Sequence, residues 1–347
     1  MGNTTGASGA SAVSPAVRSG ALPSGGLASG GSARSILRRV PVWVWRSLMA
    51  HLGPRERVRL NADPITTVNY ASDVDFVGDG IREHRLDIIS PTMADGPVPV
   101  YVYFHGGGWT SGDKSALTKY CASQATAGMV VVNVNYRMAT TFRMSHMLED
   151  ADAALAWVTA NIADYGGDPT RVVLGGDSAG GQIAAMYSSL VVDHRVSGHY
   201  SLLPSLERSS LRGLVQHCSV VDFSVIFERG FILSRGFIRM LLPHRGKGSS
   251  LESAARYLSP IEWVGDGHPP VFVTTSERDY FYRANLNYVA RLRKHGVPVD
   301  TVIYERSSRN TEHTWQQDPR FPESQEVYRR LQEFVVRVTG TAGLVTH

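Results

Sequence analysis

The chain has 347 residues, 43% of them hydrophobic and 19% charged, which is the balance of a folded globular protein rather than a disordered or fibrous one. Its formal charge of +4 is not gathered into Lys/Arg runs, and no stretch of about 18 apolar residues occurs, so neither a nucleic-acid partner nor a membrane-spanning helix is expected. Two cysteines, Cys121 and Cys218, read as buried free thiols, with a disulfide between them as the alternative, and with no CxxC or Cys/His cluster no metal is expected.

Residues 1–34 are dominated by Gly, Ser and Ala and cannot bury enough apolar surface to offset their ordering, so they read as a disordered tail without the apolar core of a signal peptide. Residues 35–72 follow as an N-terminal cap or lid. The basic and aromatic stretch Leu37–Leu52 suits an amphipathic helix after Pro41, packed over the mouth of the site. A second reading makes residues 37–52 an interfacial membrane contact, since Trp beside Arg suits the headgroup boundary.

Residues 73–340 read as one catalytic domain. Strands are expected at Val74–Val77, Arg85–Ile89, Val100–Phe104, Val130–Asn135, Arg171–Leu174, Leu214–Cys218, Val271–Thr275 and Val299–Tyr304. Helices are expected over Lys114–Thr126, Met147–Ile162, Gly181–Val191 and residues 324–338. This alternation predicts an α/β fold with a mostly parallel central sheet flanked by helices. Phe223–Leu242 breaks the rhythm and reads as a helical cap inserted at about 220–250.

Gly176-Asp-Ser-Ala-Gly180 is a G-x-S-x-G that follows an apolar strand and opens a helix, the context of a nucleophile elbow. Ser178 is the expected nucleophile, presented at a helix N-terminus that favours developing negative charge. A dinucleotide-binding turn would need G-x-G-x-x-G and an acidic residue about 20 positions on, and neither is present. His105-Gly-Gly-Gly-Trp109 follows the third strand directly. Backbone N–H groups reach a tetrahedral oxyanion only where no side chain intervenes, so Gly107 and Gly108, with Ala179 after the nucleophile, are the expected donors. His105 is expected to hold that loop in shape.

Together these segments, with Tyr257-Leu-Ser-Pro260 leading to Pro269-Pro-Val-Phe-Val, resemble the hormone-sensitive-lipase-like family of esterases and lipases over roughly residues 70–340. The resemblance implies an α/β-hydrolase core, a cap built partly from the N-terminus, no cofactor, and esters of short to medium acyl chain as substrates. Two features depart from the family pattern: Met-Ala-Thr-Thr-Phe follows Asn135-Tyr-Arg137 where a Pro-Glu pair is usual, and the segment before His313 is longer and polar. The run from His105 through Gly112-Asp-Lys114 is also similar to formamidases of this fold.

The fold's chain order is Ser, then Asp or Glu, then His. Asp279, after the strand Val271–Thr275, sits where the family carries its aspartate, with Glu277 as the local rival. His313 follows the last strand and is the expected base, while His295 ends a helix, His268 lies in a turn and His347 in a tail. Trp109, Phe223, Phe227 and Phe231 are the expected substrate-pocket residues. The resulting expectation is a serine hydrolase of small-molecule carboxylic esters, cytoplasmic, monomeric or homodimeric, working through an acyl-enzyme. The alternatives are an amidase or formamidase, a membrane-surface lipase, or a non-catalytic interaction protein of the same fold.

Overall fold

The computed structural model describes residues 39–243 and 250–340. The tail expected over residues 1–34 therefore lies outside the described residues, as does the end of the expected cap insertion at 244–249.

Eight strands form one sheet: β1 (Val68–Asp75), β2 (Arg85–Pro91), β3 (Val98–Phe104), β4 (Val130–Val134), β5 (Gly167–Asp177), β6 (Leu211–His217), β7 (Val271–Ser276) and β8 (Val299–Tyr304). The order is β1-β2-β4-β3-β5-β6-β7-β8, and β2 alone runs against its neighbours. The helices are α1 (Val42–Leu60), α2 (Thr118–Ala125), α3 (Met144–Asn161), α4 (Ser178–Val192), α5 (His194–Tyr200), α6 (Gly236–Leu241), α7 (Leu251–Ala255), α8 (Tyr282–Lys294) and α9 (Pro322–Thr339).

Both sheet faces are covered, which is why the inner strands read as continuous apolar runs. In β3, Val100, Val102 and Phe104 belong to the core layer that also takes in α3, α4 and α8, while Tyr101 and Tyr103 point the other way, into the layer with α2 and α9. Helix α9 shows the matching periodicity, burying Val327, Leu331, Phe334 and Val335 at spacings of four, three and one. Cys121 and Cys218 are free and buried.

Two expectations need correction. Strand β1 starts at Val68 rather than Val74, because it is an edge strand, half of its residues exposed and half polar, and is registered by pairing with β2 rather than by an apolar pattern. Helix α1 does not stop at Leu52 but runs through Pro54 to Leu60. Nor is it amphipathic. Its exposed apolar side chains Trp43, Leu48, Leu52 and Val58 are distributed around the axis among basic ones and form no stripe. Among the described residues, no helix is long and apolar enough to cross a membrane.

Helix α1 is fastened at both ends. Before it, Arg39 donates to the carbonyls of Ile226 (2.7 Å) and Glu228 (2.5 Å), and Val40 N–H donates to Ile232 O (2.8 Å). At its far end Arg59 pairs with the nearly buried Asp318 at 2.5 Å, and Asn61 holds Ser115 O and accepts from Lys119 N–H, both at 2.9 Å. Arg39 and Val40 thus tie α1 to the segment between β6 and β7, which contains the 3-10 turn Phe223–Phe227 and α6.

Candidate active site

The carboxyl ends of β3, β5, β7 and β8 converge, and each leads into a loop that carries part of the site. Ser178 is the first residue of α4 and follows directly on β5, with φ at +50°, a backbone state costly for any residue but glycine. The turn closes only because its neighbours are small: a Cβ on Gly180 would lie 2.1 Å from the carbonyl oxygen of Phe104. The serine is 7% exposed, so its hydroxyl is reachable while the turn beneath it is sealed.

His313, on the loop after β8, has Nε2 3.0 Å from Ser178 Oγ. Its Nδ1 lies 2.7 Å from Asp279 Oδ1. Asp279 is itself held: Phe281 N–H donates to Oδ1 and the Thr275 hydroxyl to Oδ2, both at 3.0 Å. That arrangement requires Nδ1 to carry the proton, leaving Nε2 to accept one. The rival Glu277 is exposed and accepts from the Arg306 N–H instead. His268 is buried against Pro269 O and Tyr288, and burial pushes its imidazole down to about 4. His295 caps α8. Tyr280, which no sequence pattern singled out, lays its ring on His313 with centroids 4.2 Å apart.

On the other side of Ser178 lies the loop His105–Gly112. Among the described residues, the N–H groups of Gly107, Gly108 and Ala179 have no protein acceptor. His105 is buried and its imidazole is held below its ordinary range by burial, so near neutral pH it is uncharged. It donates from Nδ1 to Gly106 O at 2.8 Å and stacks on Tyr136, whose hydroxyl in turn donates to His105 O at 2.8 Å.

Asp177 joins the two halves. It accepts from the Tyr103 hydroxyl at 2.7 Å, from Gly106 N–H at 3.0 Å and from the Gln317 amide at 2.9 Å, and so links the elbow, the glycine loop and the loop that carries His313. Burial pushes its carboxyl up to about 6, against the pull of Tyr103, Gly106 N–H and His313. Gln317 and Tyr103 carry no local signature, because what selects them is a carboxylate 140 and 74 residues away.

A cleft of about 920 Å³ opens over Ser178 and His313 and is walled by α1 through Trp45, Arg46, Met49 and Arg57, with Tyr280 and Gln317 opposite. Trp109, Phe223, Phe227 and Phe231, the aromatic residues expected in the substrate pocket, do not line this cleft. Trp109 is buried, donates to Gln182 and packs on the equally buried Phe223. Phe227 borders a separate pocket of about 210 Å³, and Phe231 rests against Phe281. Trp109 and Phe223 are packed into the core, whereas Phe227 and Phe231 are half-buried on the segment between β6 and β7.

The motif Gly112-Asp-Lys114 is structural here. Asp113 caps the turn that follows it, and the buried Lys114 ammonium sits between Asp73 (2.7 Å) and Asp87 (2.5 Å). Cys218, Asp279 and His313 are the one His/Cys/Asp/Glu group among the described residues compact enough to hold a metal. Burial keeps the Cys218 thiol protonated and Asp279 is already engaged by three donors, so this donor set does not suit a cation.

A hydroxyl, an imidazole and a carboxylate in line above a parallel sheet, beside unpartnered backbone N–H groups, define the class: a hydrolase of the α/β type. A family model described as alpha/beta hydrolase fold matches residues 101–316, and the chain belongs to that family, which contains the hormone-sensitive-lipase-like esterases. Carboxylesterase NlhH of Mycobacterium tuberculosis is 30% identical over 226 residues, covering 64% of this chain and 69% of that protein. Probable carboxylic ester hydrolase LipM of the same organism is 28% identical over 262 residues, and the chain spans only 57% of its length. Among solved structures, esterase B from Lactobacillus rhamnosis superimposes with a TM-score of 0.76 over 85% of this chain and 96% of that one. Its 19% identity makes that a likeness of fold.

Proposed function

We propose that the chain hydrolyses carboxylic esters of short to medium acyl chain, with Ser178 as nucleophile, His313 as general base and acid, and Asp279 as the carboxylate that orients it. The observation that carries this reading is the pair of distances at His313: 3.0 Å from Nε2 to the Ser178 hydroxyl and 2.7 Å from Nδ1 to Asp279. Family membership and the two curated esterase relatives support the same bond type.

In this reading Ser178 Oγ attacks the ester carbonyl carbon as its proton passes to His313 Nε2. The carbonyl oxygen becomes an oxyanion that accepts from the N–H groups of Gly107, Gly108 and Ala179, near the N-terminus of α4. Collapse of the tetrahedral intermediate breaks the ester C–O bond, and the alcohol leaves with the proton from His313. Water then attacks the acyl-enzyme, loses its proton to the same nitrogen, and releases the acid and Ser178. Asp279 stays ionised throughout and stabilises the imidazolium.

The test is turnover of a p-nitrophenyl ester series from acetyl to palmitoyl alongside the matching anilides, with fluorophosphonate labelling of wild type and Ser178→Ala. Labelling at Ser178 and ester turnover well above anilide turnover are expected. Anilide or N-formyl substrates turned over faster than every ester would overturn the choice of bond.

A further inference from the structure

Each oxyanion donor is one half of a peptide unit whose other half is a carbonyl. The unit is planar and trans, so its C=O and N–H point in opposite directions, and whatever holds the carbonyl aims the N–H. For the Gly106–Gly107 unit, the holder is the His105 ring on Gly106 O. For the Gly107–Gly108 unit, the Gly107 carbonyl accepts three donors: the Ser111 hydroxyl at 2.7 Å, Thr110 N–H at 3.3 Å, and the indole N–H of Trp45 at 3.3 Å. The first two belong to the loop itself. Trp45 comes from α1, 62 residues earlier in the chain.

The contact is closer than one hydrogen bond implies. A Cβ on Gly108 would lie 2.7 Å from the indole nitrogen, so the ring sits directly against the backbone of that residue, whose φ is +61°. The ring is held in turn by the edge of Phe237 in α6, with centroids 6.5 Å apart at 80°. The helix that carries it is fastened at Arg39 and Val40 on one side and at Arg59 and Asn61 on the other. A wall of the cleft is therefore bolted to the electrophilic half of the site.

We propose that Trp45 is a positioning residue for the oxyanion loop, its indole N–H holding the Gly107 carbonyl so that Gly108 N–H is aimed at the developing oxyanion. This rests on the acyl-transfer reading above and goes beyond it: α1 tunes the chemical step itself, in addition to bounding the cleft. Trp45 touches no reacting atom and acts only through the peptide.

The test is Trp45→Phe, which keeps a ring against Gly108 and Phe237 and removes the N–H. Losing a direct oxyanion donor costs about 10²–10³ in kcat, so a donor acting one peptide away should cost about tenfold, with KM moving less than about twofold. The rate of phosphonylation by a fluorophosphonate probe should fall by the same factor, because that reaction also places charge on the bound oxygen, while the thermal midpoint stays near wild type. Trp45→Ala should lose at least as much. Val58→Ala, on the exposed face of the same helix and away from the cleft, should change neither rate. Wild-type kcat and labelling rate in Trp45→Phe, whatever happens to KM, would overturn the proposal and leave Trp45 a plain wall residue. Failure of the parent reading looks different: wild-type protein resists the probe and Ser178→Ala retains turnover, which overturns both.

Discussion

The elbow around Ser178 and the helix α1 face each other across one cleft, yet they are held in opposite ways. The elbow is short, buried and set by its own neighbours: β5 enters, α4 leaves, and small residues let the turn close against Phe104. Helix α1 is exposed along most of its length, has no apolar face, and is kept in place by contacts at its two ends and by Trp45 between them. A site can thus combine a rigid half written into a few consecutive residues with a half that exists only because distant segments are tied together. The first half should fail abruptly when altered and the second by degrees.

The sharpest break of that contrast is Ser178→Ala, expected to lower kcat by about 10⁶ with the fold intact, by analogy with the serine of another triad hydrolase. Steady-state turnover of a p-nitrophenyl ester measures it, and a variant retaining a tenth of wild-type activity would remove Ser178 from the mechanism. Next comes Asp279→Asn, expected to cost on the order of 10⁴ by favouring the wrong tautomer of His313, while Glu277→Gln stays within a few-fold of wild type. Reversal of those two results would move the acid to Glu277.

Asp177→Asn probes the junction between the halves. Because burial raises the Asp177 carboxyl to about 6 from an ordinary 3.8, the folded state holds its proton more tightly than the unfolded chain. Its contribution to stability is therefore full below about pH 4 and is lost as pH rises through about 6. Subtracting urea midpoints of Asp177→Asn from wild type between pH 4 and 7 should show that slope, with wild type losing stability relative to the variant as pH rises. A pH-independent difference would mean that the three donors cancel the burial cost. The variant should also lower kcat by about tenfold, since Gly106 N–H loses a charged acceptor.

The smallest effect belongs to the far end of α1. Arg59→Ala removes an ion pair that is exposed on the arginine side, and Asp318 keeps Arg320, so a loss on the order of 0.5 kcal/mol is expected in chemical denaturation. A loss several times larger would show that α1 is held mainly from this end rather than through Arg39 and Trp45.

Much of the elbow was legible in the linear sequence because its determinants lie within a few residues: G-x-S-x-G after an apolar strand, and a glycine run after another. The strands of the sheet interior were legible for a similar reason, since burial on both faces leaves continuous apolar runs such as Val130–Val134. The edge strand β1 was read late and α1 was read short, because neither carries a burial pattern of its own. The aromatic residues at 223–231 were hydrophobic enough to suggest a pocket, but hydrophobicity alone does not separate a lining side chain from a packed one.

By itself the sequence determined the sheet's alternation with its helices, the turn that presents Ser178, the glycine loop, and the chain order in which an acid and a histidine must follow. Only the tertiary structure decided which carboxylate meets His313, that Asp177 gathers Tyr103, Gly106 and Gln317, that α1 rather than the aromatic segment walls the cleft, and that Trp45 reaches Gly107. The reason is one of range. Strand alternation, helical spacing and turn chemistry act over a few residues, so they are visible in the order of the residues. The Ser178–His313 contact joins positions 135 apart and the Trp45–Gly107 contact positions 62 apart, and such pairs are selected by which strand ends the sheet order brings together.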